Sequence, residues 1–308
     1  MSTDPLKTGI DLPAGLDQAP AEGVVRLLCW NIAHRQGAWA RLLALARTAH
    51  VDVAMLQEAS RPRDPALTPD LSTWPELADK DAWHTWDRPD SPGRRWCSAF
   101  AWFPWSRVEV ETEPRVKLSD ANWDVPTISH PGQFAVTRVS TSTGPIAALV
   151  SIYGLWDAMP GKRSLIFAEP CLHRSISDLT PLLLSGEPVV IAGDLNLLYR
   201  YPDFDKWKAR SDTVFARFAT YGVNVVGPYR DTEVLFPDCP CEQPETCRHV
   251  MTRPDPSGQQ WQLDYVLSNL FEERLRTWVL PIHTGFSDHA PIIIDLVPEP
   301  AGELSSSG

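Results

Sequence analysis

The sequence predicts an α/β protein, and three observations carry the prediction. The chain opens with a strand–helix–strand pattern, further short apolar runs bounded by turn residues follow it, and several of these runs finish on an acid, an amide or an imidazole. The 308 residues are 43% hydrophobic, ample for a real core. No internal repeat and no linker divides them, so we expect one domain over 24–297, between a disordered leader at 1–23 and a polar, disordered tail at 298–308.

In chain order, the first strand is read from Val24 to Trp30, ending at Asn31. Trp39, Leu42, Leu43 and Ala46 then fall at helical spacing, and the run from Val51 to Leu56 is a second strand ending in Gln57-Glu58. From Arg61 to Gly93 the chain is rich in Pro, Asp and Trp without periodicity and reads as a long surface excursion. Strand signals resume at 98–103, 134–139 and 146–152, the last ending at Tyr153-Gly154. A helical stretch lies within 161–184 and a second helix over 212–220. Further strands are read at 261–267, 277–282 and 291–296.

The most informative stretch is Val189-Val190-Ile191-Ala192-Gly193-Asp194-Leu195-Asn196. A buried strand here runs through Ala-Gly into a carboxylate and an amide two residues apart, a spacing that keeps both on one side of an extended chain. Gly-Asp-x-Asn is also ordinary turn chemistry, so alone it says little. Within the run from Trp261 to Leu267, Asp264 is an acid inside an apolar strand and needs a partner, because an unpaired buried carboxylate is costly. Asp288 and His289 open the final strand. Taken together, the polar strand ends Asn31, Glu58, Asp194 with Asn196, Asp264 and Asp288 with His289 indicate a single edge where site residues collect.

These residues also carry a resemblance. Trp30-Asn31-Ile32, Leu56-Gln57-Glu58, Gly193-Asp194-Leu195-Asn196, Leu263-Asp264-Tyr265 and Ser287-Asp288-His289 resemble, in order and spacing, the motif set of the endonuclease/exonuclease/phosphatase (DNase I-like) superfamily. The resemblance implies a four-layer α/β sandwich, two packed mixed β-sheets flanked by helices. It implies a Mg²⁺- or Mn²⁺-dependent phosphodiester hydrolase, a nuclease acting on DNA or RNA. Glu58, helped by Asn31, would ligate the cation and Asp288 would complete the metal side. Asp194 would accept a proton from the attacking water, held with the help of Asn196. His289, oriented by Asp264, would donate to a phosphate oxygen, and Tyr153 falls where family nucleases contact phosphate. Two departures stand out. Ala33 occupies a position where many of these nucleases have an acid, and Gly154-Leu155-Trp156-Asp157 follows Tyr153 in place of the Val-Pro-Asn of abasic-site enzymes.

Composition bounds the partners. With 28 Lys plus Arg against 39 Asp plus Glu, the net charge is −11, which argues against tight, sequence-blind binding of duplex nucleic acid. A phosphodiester substrate stays open, because a bound cation supplies local positive charge. A phosphatase or phosphodiesterase of small or lipid-linked phosphates and a non-catalytic binding module on the same fold are the alternatives. No signal peptide is evident, and no run approaches the roughly 18 apolar residues of a membrane span, so a cytoplasmic protein is expected. Oligomeric state is not legible.

The segment 238–249 stands outside the family pattern. Cys239, Cys241, Cys247 and His249 make up a donor set for a structural tetrahedral Zn²⁺. A disulfide with one thiol left over, or three unengaged cysteines, are the other readings. Several of the 13 tryptophans, Trp74, Trp83, Trp86, Trp96, Trp102, Trp105, Trp123 and Trp156, lie in the loop-rich middle, where packing is the favoured reading over base stacking beside Arg94, Arg95, Lys162 and Arg163.

Overall fold

Alternation along the first strand sets the layering. Val25, Leu27 and Cys29 face one way, into an apolar seam shared with Leu149, Val190, Ala192 and Val266. Leu28 and Trp30 face the other way, onto Trp39 and Leu42 of a helix. A strand that is apolar on both faces lies between two layers. The computed structural model describes residues 10–83, 97–113, 116–120, 125–158, 165–199, 205–230, 247–254 and 260–298.

Two six-stranded mixed sheets pack face to face. In chain order their strands are β1 (Val25–Asn31), β2 (Val53–Ala59), β3 (Ser72–Trp74), β4 (Cys97–Trp102), β5 (Glu109–Thr112), β6 (Phe134–Thr141), β7 (Gly144–Tyr153), β8 (Val189–Asp194), β9 (Asn224–Gly227), β10 (Asp264–Ser268), β11 (Leu275–Val279) and β12 (Ile292–Leu296). The first sheet runs β11-β12-β1-β2-β4-β3 and the second β9-β10-β8-β7-β6-β5. Each holds one parallel pair at its centre, β1 with β2 and β7 with β8, flanked by antiparallel neighbours. Both pairs are joined through helices, as a parallel crossover requires: α1 (Gln36–Thr48) covers the first sheet, and α2 (Glu169–Asp178) and α3 (Thr180–Leu184) cover the second together with α4 (Asp205–Ala219). The layers are therefore helix, sheet, sheet, helix, the four-layer sandwich that the motif set implies.

The differences from the expected elements have local causes. The stretch from Arg61 is not wholly a surface excursion: it carries edge strand β3 and seats Leu71 and Trp83 in the core, Trp83 edge-on to Trp39 with ring centroids 6.1 Å apart. Three residues are too few for alternation to register. Strands β5 and β9, also short edge strands, went unread for the same reason. The strand expected over 261–267 breaks at Gln262, whose side chain leaves the ladder to bond Val250 N and Pro228 O. Leu16 lies in the core beneath β1, and the Arg26 guanidinium ties the carbonyls of Leu16 and Gln18 to Asp295. Among the described residues, no helix is long and apolar enough to cross a membrane.

Candidate active site

The same parity that builds the seam delivers the site. Asn31 continues the seam-facing series of β1, Tyr153 that of β7 and Asp194 that of β8, so three strand ends present polar side chains where the apolar seam stops. Asp264 begins β10, antiparallel to β8, and sits directly opposite Asp194 in the ladder. Tyr153 is the partner of Asp194 on the parallel side. Close backbone approach explains two glycines here. A Cβ on Gly193 would lie 1.8 Å from the Ile152 carbonyl oxygen, and one on Gly154 would lie 2.0 Å from that of Leu195.

Glu58 arrives by a different route. Simple alternation along β2 sends Gln57 into the seam, where its amide bonds Ser151 Oγ at 2.9 Å, and would send Glu58 toward the helix layer. The pairing with β4 slips between Leu56 and Ala59, and Glu58 adopts a left-handed φ of 47°. That bulge turns the carboxylate to the sheet edge. Ala33, His34 and Asn196 also have positive φ, at 48°, 59° and 50°. Such backbone typically costs about 1–3 kcal/mol per residue, and four of these residues, Ala33, His34, Glu58 and Asn196, gather at one edge.

The two sheets brace one another through the site. Asn31, from the first sheet, donates its amide hydrogens to Asp194 Oδ2 at 2.9 Å and to Glu58 Oε1 at 3.3 Å. Tyr153, from the second, donates its hydroxyl to Glu58 Oε1 at 2.8 Å. Asn196 donates its backbone N–H to Asp194 Oδ1 at 2.9 Å and its amide to Oδ2 at 3.2 Å. The turn before β12 is fixed from two sides, by Ser287 Oγ donating to Asn31 O at 2.6 Å and by Trp30 Nε1 donating to His289 O at 3.0 Å. His289 is thereby held between the two acids, with Nδ1 2.8 Å from Asp264 Oδ2 and Nε2 3.6 Å from Asp194 Oδ2. The buried partner that Asp264 needs is this imidazole.

Electrostatics separates the acids. Asp194 is 1% exposed, and burial, with Asp264 and Glu58 nearby, raises its pKa to about 7 against the lowering effects of His289 and Asn31. Burial would lower His289, but the carboxylates of Asp264 and Asp194 prevail and raise it to about 9. Burial likewise would raise Glu58, yet the His34 and Tyr153 hydrogen bonds and the His34 charge hold it down at about 2. At neutral pH the site therefore contains a permanent carboxylate, a protonated imidazole and a carboxyl poised to exchange a proton.

The donor set fits a divalent cation. Asp194, Asp264 and His289 bring possible ligand atoms within 4.8 Å of one another, and Glu58 adds an ionised oxygen donor. Within the buried trio both imidazole nitrogens face carboxylates, an arrangement that suits a protonated ring; the partly open Glu58, its side chain 20% exposed, suits a cation better. Asp288 lies at the rim, its carboxylate 3.4 Å from Arg253 Nε. Arg253 would be lowered by burial, but Asp194, Asp288 and Glu58 raise it, so its charge is directed at the acidic cluster.

The structure thus gathers Asn31, Glu58, Tyr153, Asp194, Asn196, Asp264 and His289 in one cluster with Asp288 at its edge. Sequence reasoning missed His34 and Arg253. His34 follows Asn31 in a loop, and Arg253 stands in a two-residue strand with Pro254; neither carries a periodic signal. Cys247 and His249 take no part in this group: Cys247 Sγ lies 3.0 Å from His249 Nδ1, and His249 Nε2 lies 2.5 Å from Tyr199 O. Cys239 and Cys241 lie outside the described residues, as do Trp86, Trp96, Trp123, Arg94, Arg95, Lys162 and Arg163. Trp83 is buried, Trp74, Trp102 and Trp105 pack against the core, and Trp105 stacks on Phe103.

The profile described as "Endonuclease/Exonuclease/phosphatase family" matches residues 28–289. No curated protein matches this chain. Among solved structures, it is similar to the Xenopus laevis APE2 catalytic domain, at 16% identity and a TM-score of 0.57, covering 90% of this chain and 94% of the other. It is also similar to an AP endonuclease from Archaeoglobus fulgidus (14% identity, TM-score 0.54, 88% and 99% covered). The Neisseria 3′ phosphatase NExo, bound to a product DNA hairpin, is a third (14% identity, TM-score 0.55, 88% and 99% covered). At these identities the likeness is one of fold.

Proposed function

Because the chain belongs to the endonuclease/exonuclease/phosphatase family, we propose that it is a divalent-cation-dependent hydrolase of phosphoric diesters, acting as a nuclease on DNA or RNA. The observation that carries this reading is the Asp264–His289–Asp194 line, 2.8 and 3.6 Å between successive groups, set beside Glu58, whose proton affinity is lowered where those of Asp194 and His289 are raised. Titratable groups pushed in opposite directions are a means of assigning acid and base roles.

In this reading Asp194 takes a proton from water as the oxygen attacks phosphorus, and a carboxyl titrating near neutrality is well matched to that task. Asn196 and Asn31 hold Asp194 so that its lone pairs meet the water at a fixed angle. Nε2 of His289 is 3.6 Å from Asp194, too far for a good hydrogen bond, and donates instead to a non-bridging phosphate oxygen as negative charge grows there. Asp264 keeps that ring protonated and oriented. The P–O bond to the leaving group breaks with its electron pair on the departing oxygen, which takes a proton from solvent. Tyr153 positions Glu58 and reaches the phosphate, and Arg253 draws the anionic substrate toward an acidic cluster that would otherwise repel it. Glu58, with Asn31 and Asp288 beside it, would hold Mg²⁺ or Mn²⁺, which when bound offsets phosphate charge and stabilises the leaving oxygen.

Neighbours described as endonucleases and as a 3′ phosphatase leave both diester and monoester substrates in view, and the test addresses both. The protein is assayed with single-stranded DNA, duplex DNA, RNA, 3′-phosphorylated DNA and inositol phosphates, with Mg²⁺ or Mn²⁺ and with a chelator. Cation-dependent cleavage of a polynucleotide, lost in Glu58→Gln, is expected. Release of inorganic phosphate alone would replace the nuclease reading by a phosphatase, and cleavage of nothing in the panel would sink the hydrolase mechanism.

A further inference from the structure

The imidazole of His34 stands over Glu58, with Nε2 2.9 Å from Oε2. Its position is built by the backbone. Ala33 N–H donates to Asn31 Oδ1 at 2.9 Å, and Ala33 and His34 take consecutive left-handed conformations that reverse the chain. His34 N–H then donates to Glu58 O at 3.0 Å, and Ser60 Oγ donates to His34 O at 3.3 Å. Both sides of the residue are stapled to the bulged end of β2, so the ring and the carboxylate are carried by one rigid unit. Two uncommon backbone conformations in a row indicate that the ring's placement matters.

We propose that His34 is a ligand of the cation held by Glu58, which makes the centre a mixed nitrogen–oxygen site that takes Mn²⁺ in preference to Mg²⁺. The proposal rests on the reading of Glu58 as a cation ligand given above. Two donors on adjacent positions of an octahedral ion, each about 2.1 Å from it, stand about 3.0 Å apart, which the separation of His34 Nε2 and Glu58 Oε2 matches. Once a cation displaces the proton that lies between His34 Nε2 and Glu58 Oε2, the imidazole offers one lone pair at Nε2, and nitrogen donors favour first-row transition ions over Mg²⁺, which prefers oxygen. The other Glu58 oxygen, Oε1, already accepts from Tyr153 and Asn31, so Oε2 is the oxygen that meets the ring.

The test titrates wild type, His34→Asn and Glu58→Gln with Mn²⁺ and with Mg²⁺ by calorimetry, and examines the Mn²⁺ complexes by pulsed electron paramagnetic resonance. Asparagine tolerates the left-handed backbone, so this substitution removes the imidazole and keeps the loop. Wild type is expected to show imidazole-nitrogen coupling to Mn²⁺. In His34→Asn the coupling disappears and Mn²⁺ binds about tenfold more weakly, while Mg²⁺ affinity changes far less. Mn²⁺ bound to wild type without nitrogen coupling, or coupling that persists in His34→Asn, overturns the role of His34 and leaves Glu58 as a ligand. Unchanged Mn²⁺ affinity in Glu58→Gln overturns the underlying reading instead.

Discussion

Glu58 and Asp194 occupy equivalent places in the two halves of the molecule, yet they are tuned in opposite directions. Each closes the second strand of a parallel strand–helix–strand unit, β1-α1-β2 in one sheet and β7-α2-α3-β8 in the other. Each also accepts a hydrogen bond from the first strand end of the opposite unit, Glu58 from Tyr153 and Asp194 from Asn31. The first carboxyl is held down near 2 and the second is pushed up to about 7. The cause lies in the neighbours. Asp194 is sealed and faces Asp264 directly across the ladder, where like charges oppose each other. Glu58 is turned outward by its bulge, meets His34 and is partly open to water. Equivalent topology supplied two carboxylates, and burial with local partners shifted their proton affinities in opposite directions.

The comparison breaks most severely in Asp194→Asn, which keeps the shape and removes the proton acceptor. A loss of about 10²–10⁴-fold in kcat is expected, with the thermal melting temperature unchanged or raised because a buried carboxyl is removed from beside Asp264. A melting temperature that falls steeply would mean that the residue is structural.

The pH profile gives a finer contrast. Asp194 must be ionised to accept a proton, so kcat/KM rises with pH through about 7; His289 must keep its proton, so the rate falls again through about 9. These limbs belong to the interacting pair. Asp264 raises both groups, so Asp264→Asn is expected to move both limbs to lower pH, and a profile that stays in place would refute the assignment. Glu58, near 2, titrates outside this window.

The smallest effect is expected from Tyr153→Phe, which removes one of three donors to Glu58. One hydrogen bond of this kind corresponds to about two- to tenfold in kcat/KM. Glu58 rises from about 2 yet stays ionised at neutral pH, because His34 remains. A loss above a hundredfold would assign the hydroxyl a direct part in the chemistry.

Much of this was legible in the chain. The apolar runs fixed the central strands, because a strand buried on both faces needs continuous hydrophobicity, and the residues ending those runs named the acids, amides and imidazole of the site. Residue types and order were sufficient for the family and hence for the layering. The edge strands β3, β5 and β9 were not legible, since three or four residues facing partly to solvent carry little pattern. His34, in a loop, and Arg253, in a two-residue strand paired with Gln260 and Trp261, were missed because segments so short carry no spacing that announces them.

By itself the sequence determined that Asn31, Tyr153, Asp194 and Asp264 would come together, because a period of two carries the parity of the seam to each strand end. It did not determine how Glu58 joins them, since that same parity would turn Glu58 away. Only the tertiary structure decided this, through the slip against β4 and the left-handed backbone at Glu58. Proton affinities were decided there as well. A carboxyl's pKa depends on its burial and on charges a few ångströms away, and for Asp194 those charges come from residues 70 and 95 positions away in the chain, Asp264 and His289.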